Sequence, residues 1–183
     1  MSREKTIQIH QEIAQNLMEA SGKAGTDFLL VNRGDSTLRG HYPVETQTLR
    51  EVLEAEGMQI DGEILCPFFE EGGRYTANDV HYLELESGRL QPVGISEFAK
   101  DSSFSYESSD LKEWIEEKYE GRVGKQEVLT VTLEELRAYD LPSIVKKLTG
   151  VSGFGKVVVN ALCYTDLKVF VTALIQAMAQ GKR

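Results

Sequence analysis

The sequence has little cysteine and no long apolar run, and both shortages narrow the class of protein. Its two cysteines, Cys66 and Cys163, stand far apart within apolar stretches and form no CxxC pair. They predict buried thiols in a reducing compartment and give no reason to expect a disulfide framework. The chain also lacks an apolar stretch of about 18 residues and a signal-peptide pattern at its start. We therefore expect a soluble cytoplasmic protein with no membrane partner.

Basic residues are also scarce relative to acidic ones. Lys and Arg number 20 against 29 Asp and Glu, which gives a formal net charge of −9. Because the basic residues are scattered and form no patch, the sequence argues against a nucleic-acid partner. A chain of 183 residues with 41% hydrophobic composition is long enough for one substantial core. We predict a single domain over residues 1–183.

Short apolar stretches alternate with amphipathic segments along most of the chain. Four of these stretches are typical of strands buried on both faces: Asp27–Asn32, Ile64–Phe69, Val128–Thr132 and Lys156–Asn160. A hairpin is predicted where 81–85 faces 89–93 across a Glu-Ser-Gly turn. Since parallel strands need crossover helices, the predicted fold is α/β, a three-layer α/β/α arrangement with a mostly parallel sheet and an inserted β-hairpin.

Helix boundaries are indicated by capping residues and by glycine or proline. Ser109-Asp110 is predicted to cap one helix, which runs through Tyr119, and Thr132 with Glu135 has the spacing of a capping box for the next. The remaining helices are predicted over 5–18, ending near Gly22, and from Pro43 to Gly57, from Pro142 to Leu148 and from Thr165 to Ala179.

Two segments follow predicted strands, where ligands bind in parallel α/β sheets. Glu70–Tyr75 is predicted to be a loop, and Arg33–Gly40 is the richer in polar residues. An arginine in the latter can hold a carboxylate, and Asp35 can accept hydrogen bonds from sugar hydroxyls. In the alternative interpretation Asp35 or Ser36 only caps a turn, and the arginines are solvated.

The same segment carries a resemblance to a known family. Asp35-Ser-Thr-Leu-Arg-Gly40, preceded by Arg33 and followed by His41-Tyr-Pro-Val-Glu45, resembles the signature of the N-terminal domain of the four-carbon acid sugar kinase family. The stretches 66–82 and 97–101 are similar to the next landmarks of that family and stand in the same order. Ser2-Arg3 resembles a short element that closes an earlier strand in the N-terminal domain of that family. The resemblance covers nearly the whole chain.

The resemblance implies an N-terminal domain that binds a small polyhydroxy acid of the threonate or erythronate type. A C-terminal domain binds ATP in such proteins, and the phosphoryl group passes to a substrate hydroxyl with the help of Mg²⁺. The implied substrate-binding residues are Asp35, Arg39, Arg33, Ser36, Thr37, Arg74 and Arg3. We assign no catalytic residue and no metal ligand, and we interpret His41 and His81 as structural.

Parts that the resemblance leads us to expect are missing. The chain has no Asp-Asp-x-Thr-Gly-Ala-type element and no nucleotide-binding domain, and Asn160 stands where the family often has an aspartate. The glycine-rich stretch Gly150–Gly155 lacks the pair of lysine and hydroxyl residues that completes a P-loop. We therefore predict a partial substrate-binding domain that is inactive alone and has no cofactor of its own, although ATP and Mg²⁺ are implied for the complete family enzyme.

Two other interpretations stay open. The chain is either a subunit of a split kinase that completes its site with a second chain carrying the nucleotide domain, or a structural relic that binds no ligand.

A further prediction concerns assembly. If strands that normally lie beside Phe28–Asn32 are missing, an apolar sheet edge is exposed, and we expect a homodimer or higher oligomer that covers it.

Overall fold

Helices and strands alternate through most of the computed structural model, which describes all residues from 1 to 183. The helices are α1 (Arg3–Ala24), α2 (Val44–Ala55), α3 (Leu111–Lys118), α4 (Leu133–Arg137), α5 (Leu141–Thr149) and α6 (Tyr164–Met178). The strands are β1 (Gly62–Leu65), β2 (Arg74–Ala77), β3 (Val80–Glu84), β4 (Leu90–Pro92), β5 (Leu129–Val131) and β6 (Gly155–Val159). Short 3-10 turns lie between several of them.

The strands form two sheets of different kinds. One is parallel, in the order β1-β6-β5, with Glu63 beside Lys156 and Leu129 beside Val157. The other is antiparallel, in the order β2-β3-β4. The predicted parallel sheet and inserted hairpin are therefore confirmed. The hairpin has a third strand, β2, whose first residues lie in the segment 70–75 that was predicted to be a loop.

Helices cover both faces of the parallel sheet because its central strand is apolar on both sides. Val157 and Val159 pack into the core formed with α4, α5 and α6. Val158 points the other way, into a core that contains Trp114 and Ile115 of α3. Side chains on alternate sides of a strand bury both faces at once, and this confirms the predicted α/β class.

Local capping signals were predictive because each depends on a few neighbouring residues. The carboxylate of Asp110 accepts hydrogen bonds from the backbone N–H groups of Lys112 and Glu113, at 2.8 and 3.2 Å. Thr132 and Glu135 form the reciprocal capping box of α4, with bonds of 3.2 and 2.8 Å. These contacts satisfy N–H groups that a helix leaves unpaired at its start.

The strand predicted at Asp27–Asn32 is wrong. The segment is extended, and Phe28 and Leu30 pack on the small core between α1 and α2, but its main chain makes no hydrogen bond within the protein. Leu29 and Val31 point outward and are 57% and 69% exposed. A strand needs a hydrogen-bonded neighbour, and β1 is paired only with β6. The parallel sheet therefore has three strands.

The cysteines are less buried than predicted. Cys66 and Cys163 are free thiols, and each is only partly buried. Burial nevertheless raises the pKa of the Cys66 thiol to about 11, so this thiol is not ionised at neutral pH. None of the helices combines the length and the apolar composition that crossing a bilayer requires.

Candidate functional site

The candidate site lies on the loop 33–40, which two buried side chains hold from below. The hydroxyl of Tyr106 donates to the carbonyl of Thr37 at 2.6 Å, and Nε2 of His81 donates to the carbonyl of Ser36 at 2.9 Å. Since a carbonyl only accepts, Nε2 carries the proton, and Nδ1 accepts from the hydroxyl of Thr76 at 2.9 Å. Two carbonyls of the loop backbone are thus held by hydrogen bonds from buried side chains.

His81 is neutral at physiological pH. Its side chain is fully buried, and this burial lowers its pKa to about 4, with a smaller contribution from the nearby charge of Arg74. A neutral imidazole with one donor and one acceptor matches its two partners. The structural role predicted for this histidine agrees with these contacts.

The antiparallel sheet connects this loop to the parallel sheet. Thr76 of β2 exchanges two main-chain hydrogen bonds, both of 3.0 Å, with Ala161, which lies just beyond the end of β6. Because His81 joins Thr76 to Ser36, the loop is tied to the carboxyl end of the central parallel strand. This is the edge at which such sheets bind ligands.

On the loop, Asp35, Thr37 and Arg39 form a compact hydrogen-bonded group. The Oδ1 atom of Asp35 accepts from the backbone N–H and the hydroxyl of Thr37, at 2.8 and 2.7 Å. Its Oδ2 atom lies 2.6 Å from Nη2 and 2.8 Å from Nε of Arg39. Partial burial alone would raise the pKa of Asp35, but these hydrogen bonds and the guanidinium charge together lower it. Asp35 is therefore an ionised acceptor near neutral pH.

A second arginine approaches the same place from the antiparallel sheet. The guanidinium carbon of Arg39 lies 4.9 Å from the ring centroid of Phe98, and that of Arg74 lies 5.7 Å from the same centroid. Both distances are within the range of a cation–π interaction. The ring thus positions two guanidinium groups that come from segments 35 residues apart in sequence, one on the loop and one at the start of β2.

Neither guanidinium is saturated by protein partners. Nη1 of Arg39 has an acidic neighbour only in Asp101, at 3.9 Å. Arg74 uses Nη1 to donate to the carbonyls of Gly72 and Gly73, while its Nη2 makes no hydrogen bond within the protein. Each arginine therefore keeps donors for an anionic ligand.

The position of Arg74 depends on the glycine before it. Gly73 has φ +68°, and a Cβ atom there would lie 2.8 Å from Cβ of Glu84 on the neighbouring strand. Any other residue would meet both backbone strain and a steric clash. The close approach of the two strands, and with it the direction of Arg74, thus requires glycine at position 73.

The structure brings together four of the seven predicted site residues. Asp35, Thr37, Arg39 and Arg74 surround one region, whereas Ser36 contributes its carbonyl to His81 and its hydroxyl makes no hydrogen bond. Arg33 is exposed and forms no ion pair or hydrogen bond. Arg3 is likewise exposed at the start of α1. Their binding roles stay predictions that no contact in the structure supports.

Sequence reasoning missed the aromatic side chains of the site. The residues predicted to bind substrate include neither Phe98 nor Tyr106. One signal was available, because Phe98 lies within Glu97–Asp101, a stretch that resembles a family landmark. No signal within the sequence predicts that Tyr106 donates to a carbonyl 69 residues away.

The side-chain amide of Asn160 is fully engaged inside the protein. Its side chain is fully buried, accepts from the backbone N–H of Asp79 at 2.8 Å, and donates to the carboxylate of Asp79 and to the carbonyl of Val131. These bonds fasten the β2–β3 turn to the end of β5. The amide that could hydrogen-bond a substrate hydroxyl is therefore used inside the protein.

The glycine-rich stretch at residues 150–155 does not form a P-loop. The lysine of the P-loop pattern is present after all, since Lys156 follows Gly155, but Val157 replaces the hydroxyl residue. A P-loop connects a strand to a helix, whereas this stretch connects α5 to β6. Lys156 itself is buried on β6, with Nζ 2.8 Å from Oε2 of Glu63. No group of three or more His, Cys, Asp or Glu side chains has a metal-binding arrangement.

Comparisons with known proteins agree with this architecture. The sequence profile of the sugar-binding N-terminal domain family matches residues 1–183. Haemophilus influenzae protein HI1011, of the DUF1537 family, matches with TM-score 0.54 and 16% identity over 78% of this chain and 32% of its own. A Salmonella typhimurium LT2 protein with the provisional name of a tRNA synthase also matches with TM-score 0.54 and 16% identity. The match covers 76% of this chain and 31% of that protein.

At such low identity the two solved structures establish similarity of fold alone. This chain spans about a third of the length of each, 32% and 31%. None of the curated proteins matches the chain significantly.

Proposed function

The chain belongs to the family of sugar-binding N-terminal domains, and we propose that it binds a small polyhydroxy acid of the four-carbon threonate or erythronate type. In this proposal the chain is the substrate-binding part of an ATP-dependent acid sugar kinase. The observation that supports the proposal is the convergence of Arg39 and Arg74 on Phe98, with Asp35 beside Arg39.

The charges of this group suit a ligand that is an acid at one end and an alcohol at the other. The free donors of Arg39 and Arg74 match a carboxylate, which accepts hydrogen bonds from two guanidinium groups without competing donors. The ionised carboxylate of Asp35 accepts hydrogen bonds from hydroxyls, so it favours the alcohol end of the ligand over the acid end. A ligand with one carboxylate and several hydroxyls satisfies both halves of the site.

The role of Asp35 in this proposal is recognition and not proton removal. Because its pKa is lowered, its carboxylate is a weak base near neutral pH. It already accepts from Thr37 and Arg39, so its remaining lone pairs hold a hydroxyl in a defined direction. The contribution of this chain is to bind and orient the acid.

The proposal assigns neither ATP nor Mg²⁺ to the residues described above. Lys156 is buried beside Glu63, and the stretch 150–155 precedes a strand in place of a helix. No step of phosphoryl transfer is therefore assigned to the side chains described above. The nucleotide site of the proposed kinase belongs to another polypeptide region or to another chain.

Calorimetric titration of the 183-residue chain with erythronate and with threonate tests the proposal. We expect saturable binding of at least one acid, a loss of at least tenfold in affinity for Arg39→Ala, and a similar loss for Arg74→Ala. Arg89→Ala is the matched control, since Arg89 is exposed on the β3–β4 turn and should leave the affinity unchanged. Absence of binding for both acids, or equal losses in all three variants, would refute the proposal.

Asp35→Asn separates recognition of the hydroxyls from recognition of the carboxylate. The variant keeps a side chain of the same size but loses the negative charge that accepts from hydroxyls. We expect weaker binding of the polyhydroxy acid and unchanged or stronger binding of butyrate, a four-carbon acid without hydroxyls. Equal losses for the two ligands would show that Asp35 does not contact hydroxyls.

A further inference from the structure

The extended segment 27–33 exposes a backbone edge that is not paired with any strand. Its backbone N–H and C=O groups make no hydrogen bond within the protein. Leu29 and Val31, on its outer side, are 57% and 69% exposed, while Phe28 and Leu30 pack inward. An extended backbone with free donors and acceptors and alternating apolar side chains is suited to pairing with another strand.

We propose that this segment pairs in antiparallel orientation with the same segment of a second copy of the chain, about a two-fold axis at Leu30. In that register Leu29 of each copy lies opposite Val31 of the other. Opposite residues of an antiparallel pair share one face, so four exposed apolar side chains cover one another. A symmetric contact of this kind closes at two copies and leads to a dimer, not a fibre.

Charges at the two ends of the segment select this arrangement. The register about Leu30 places Asp27 of one copy opposite Arg33 of the other, twice in the dimer. The Asp27 side chain is 89% exposed and is held only by Arg183, at 3.3 Å. Arg33 is exposed and has no partner. Opposite charges facing each other across two strands stabilise their pairing.

Other arrangements of the same two segments are less favourable. Parallel in-register pairing would place Asp27 beside Asp27 and Arg33 beside Arg33, and like charges in adjacent positions repel. A shift of one residue would turn the exposed apolar side chains of one copy to the opposite face. The sequence of the edge thus favours one register over its neighbours.

The proposed interface is small. Seven residues from each copy bury less surface than the roughly 1,600 Å² of a standard protein–protein interface. We therefore expect a dimer that forms reversibly as the protein concentration rises. The dimer does not depend on ligand binding, because Arg33 lies outside the group formed by Asp35, Thr37, Arg39 and Arg74.

Sedimentation velocity over a series of protein concentrations, with charge-reversal variants, tests this pairing. Asp27→Arg places two arginines opposite each other, and Arg33→Asp places two aspartates opposite each other, so each variant alone should sediment as a monomer. An equimolar mixture of the two restores opposite charges across the interface and should dimerise. Glu86→Arg, on the exposed β3–β4 turn, is the control and should dimerise like the unaltered chain.

Several outcomes would overturn the proposal. An unaltered chain that stays monomeric at the highest concentration excludes the dimer. Single variants that dimerise as well as the unaltered chain exclude this edge as the interface. A mixture that stays monomeric excludes charge pairing across this edge, because one copy then carries only arginine and the other only aspartate at positions 27 and 33. Both substituted side chains are exposed, so the variants should keep the fold, which circular dichroism checks.

Discussion

Two pairs of oppositely charged side chains occupy very different surroundings in this protein. The Asp35–Arg39 pair lies on a loop, with its closest atoms 2.6 Å apart and side chains that are 32% and 34% exposed. The Glu63–Lys156 pair joins neighbouring strands at 2.8 Å, with side chains that are 8% and 4% exposed. A carboxylate thus pairs with a basic side chain once in contact with solvent and once in the core.

The difference lies in what each pair loses when a partner leaves. A partly exposed charge is still solvated, so an exposed ion pair contributes only about 0–1 kcal/mol and can exchange partners with a ligand. A buried charge that loses its partner has no water around it to solvate it, so removing one partner is strongly destabilising. Lys156 lies against the rings of Phe154 and Tyr119, and burial lowers its pKa although the charge of Glu63 opposes this effect. The loop pair is therefore suited to binding and the buried pair to holding the sheet.

Removal of one buried charge should have the largest effect. Lys156→Met leaves Glu63 buried without its cation, and we expect the free energy of unfolding to fall by about 3–5 kcal/mol in urea denaturation. The matched control is the double variant Glu63→Leu/Lys156→Met, which removes both charges and should recover most of the loss. A single variant as stable as the unaltered chain would contradict the assignment of this pair to the core.

Acid should weaken the anchor beneath the loop. Burial lowers the pKa of His81 to about 4 in the folded protein, against about 6.5 when unfolded, so the unfolded chain binds the proton more readily between these values. The contribution of neutral His81 is complete above pH 6.5 and falls by roughly 3 kcal/mol as the pH drops to 4.

Urea denaturation at several pH values measures this contribution. His81→Gln keeps an amide donor but does not titrate, so its stability should fall less than that of the unaltered chain between pH 6.5 and 4. His10→Gln, on α1, should follow the unaltered chain. Parallel curves for the unaltered chain and His81→Gln would show that the imidazole is not held in its neutral form.

A smaller effect is expected at the turn before Arg74. Gly73→Ala and Gly88→Ala both place a side chain at positive φ, +68° and +76°, but only at position 73 would the new Cβ meet another atom within 4 Å. We expect Gly73→Ala to lose about 1–3 kcal/mol more than Gly88→Ala, and to weaken acid binding because Arg74 moves. Equal stability and equal affinity in the two variants would show that the close approach to Glu84 does not position the arginine.

The sequence predicted those parts of the fold that depend on neighbouring residues. Asp110 as a helix cap and Thr132 with Glu135 as a capping box are interactions within three residues, and the hairpin turn is equally local. The segment at 27–32 has the composition of a strand, but strand formation depends on a partner elsewhere in the fold. Its apolar pattern indicated an extended conformation and carried no information about hydrogen bonding.

The candidate site could be predicted only in part for the same reason. Asp35, Thr37 and Arg39 lie within five residues, so their grouping follows from the loop alone. Arg74 and Phe98 join them through the antiparallel sheet and a separate 3-10 turn, and no local pattern specifies that meeting. Arg33 and Arg3 match the family signature in sequence but lie outside the group in space.

One measurement tests the difference between the two ion pairs most directly. It compares the binding of erythronate and threonate by Arg39→Ala with their binding by the double variant Glu63→Leu/Lys156→Met. Each protein is titrated at a temperature where urea denaturation shows it to be folded. We predict that Arg39→Ala keeps nearly full stability and loses binding, while the double variant binds as the unaltered chain does. Retained binding in Arg39→Ala, or lost binding in a folded double variant, would contradict the assignment of recognition to the exposed pair.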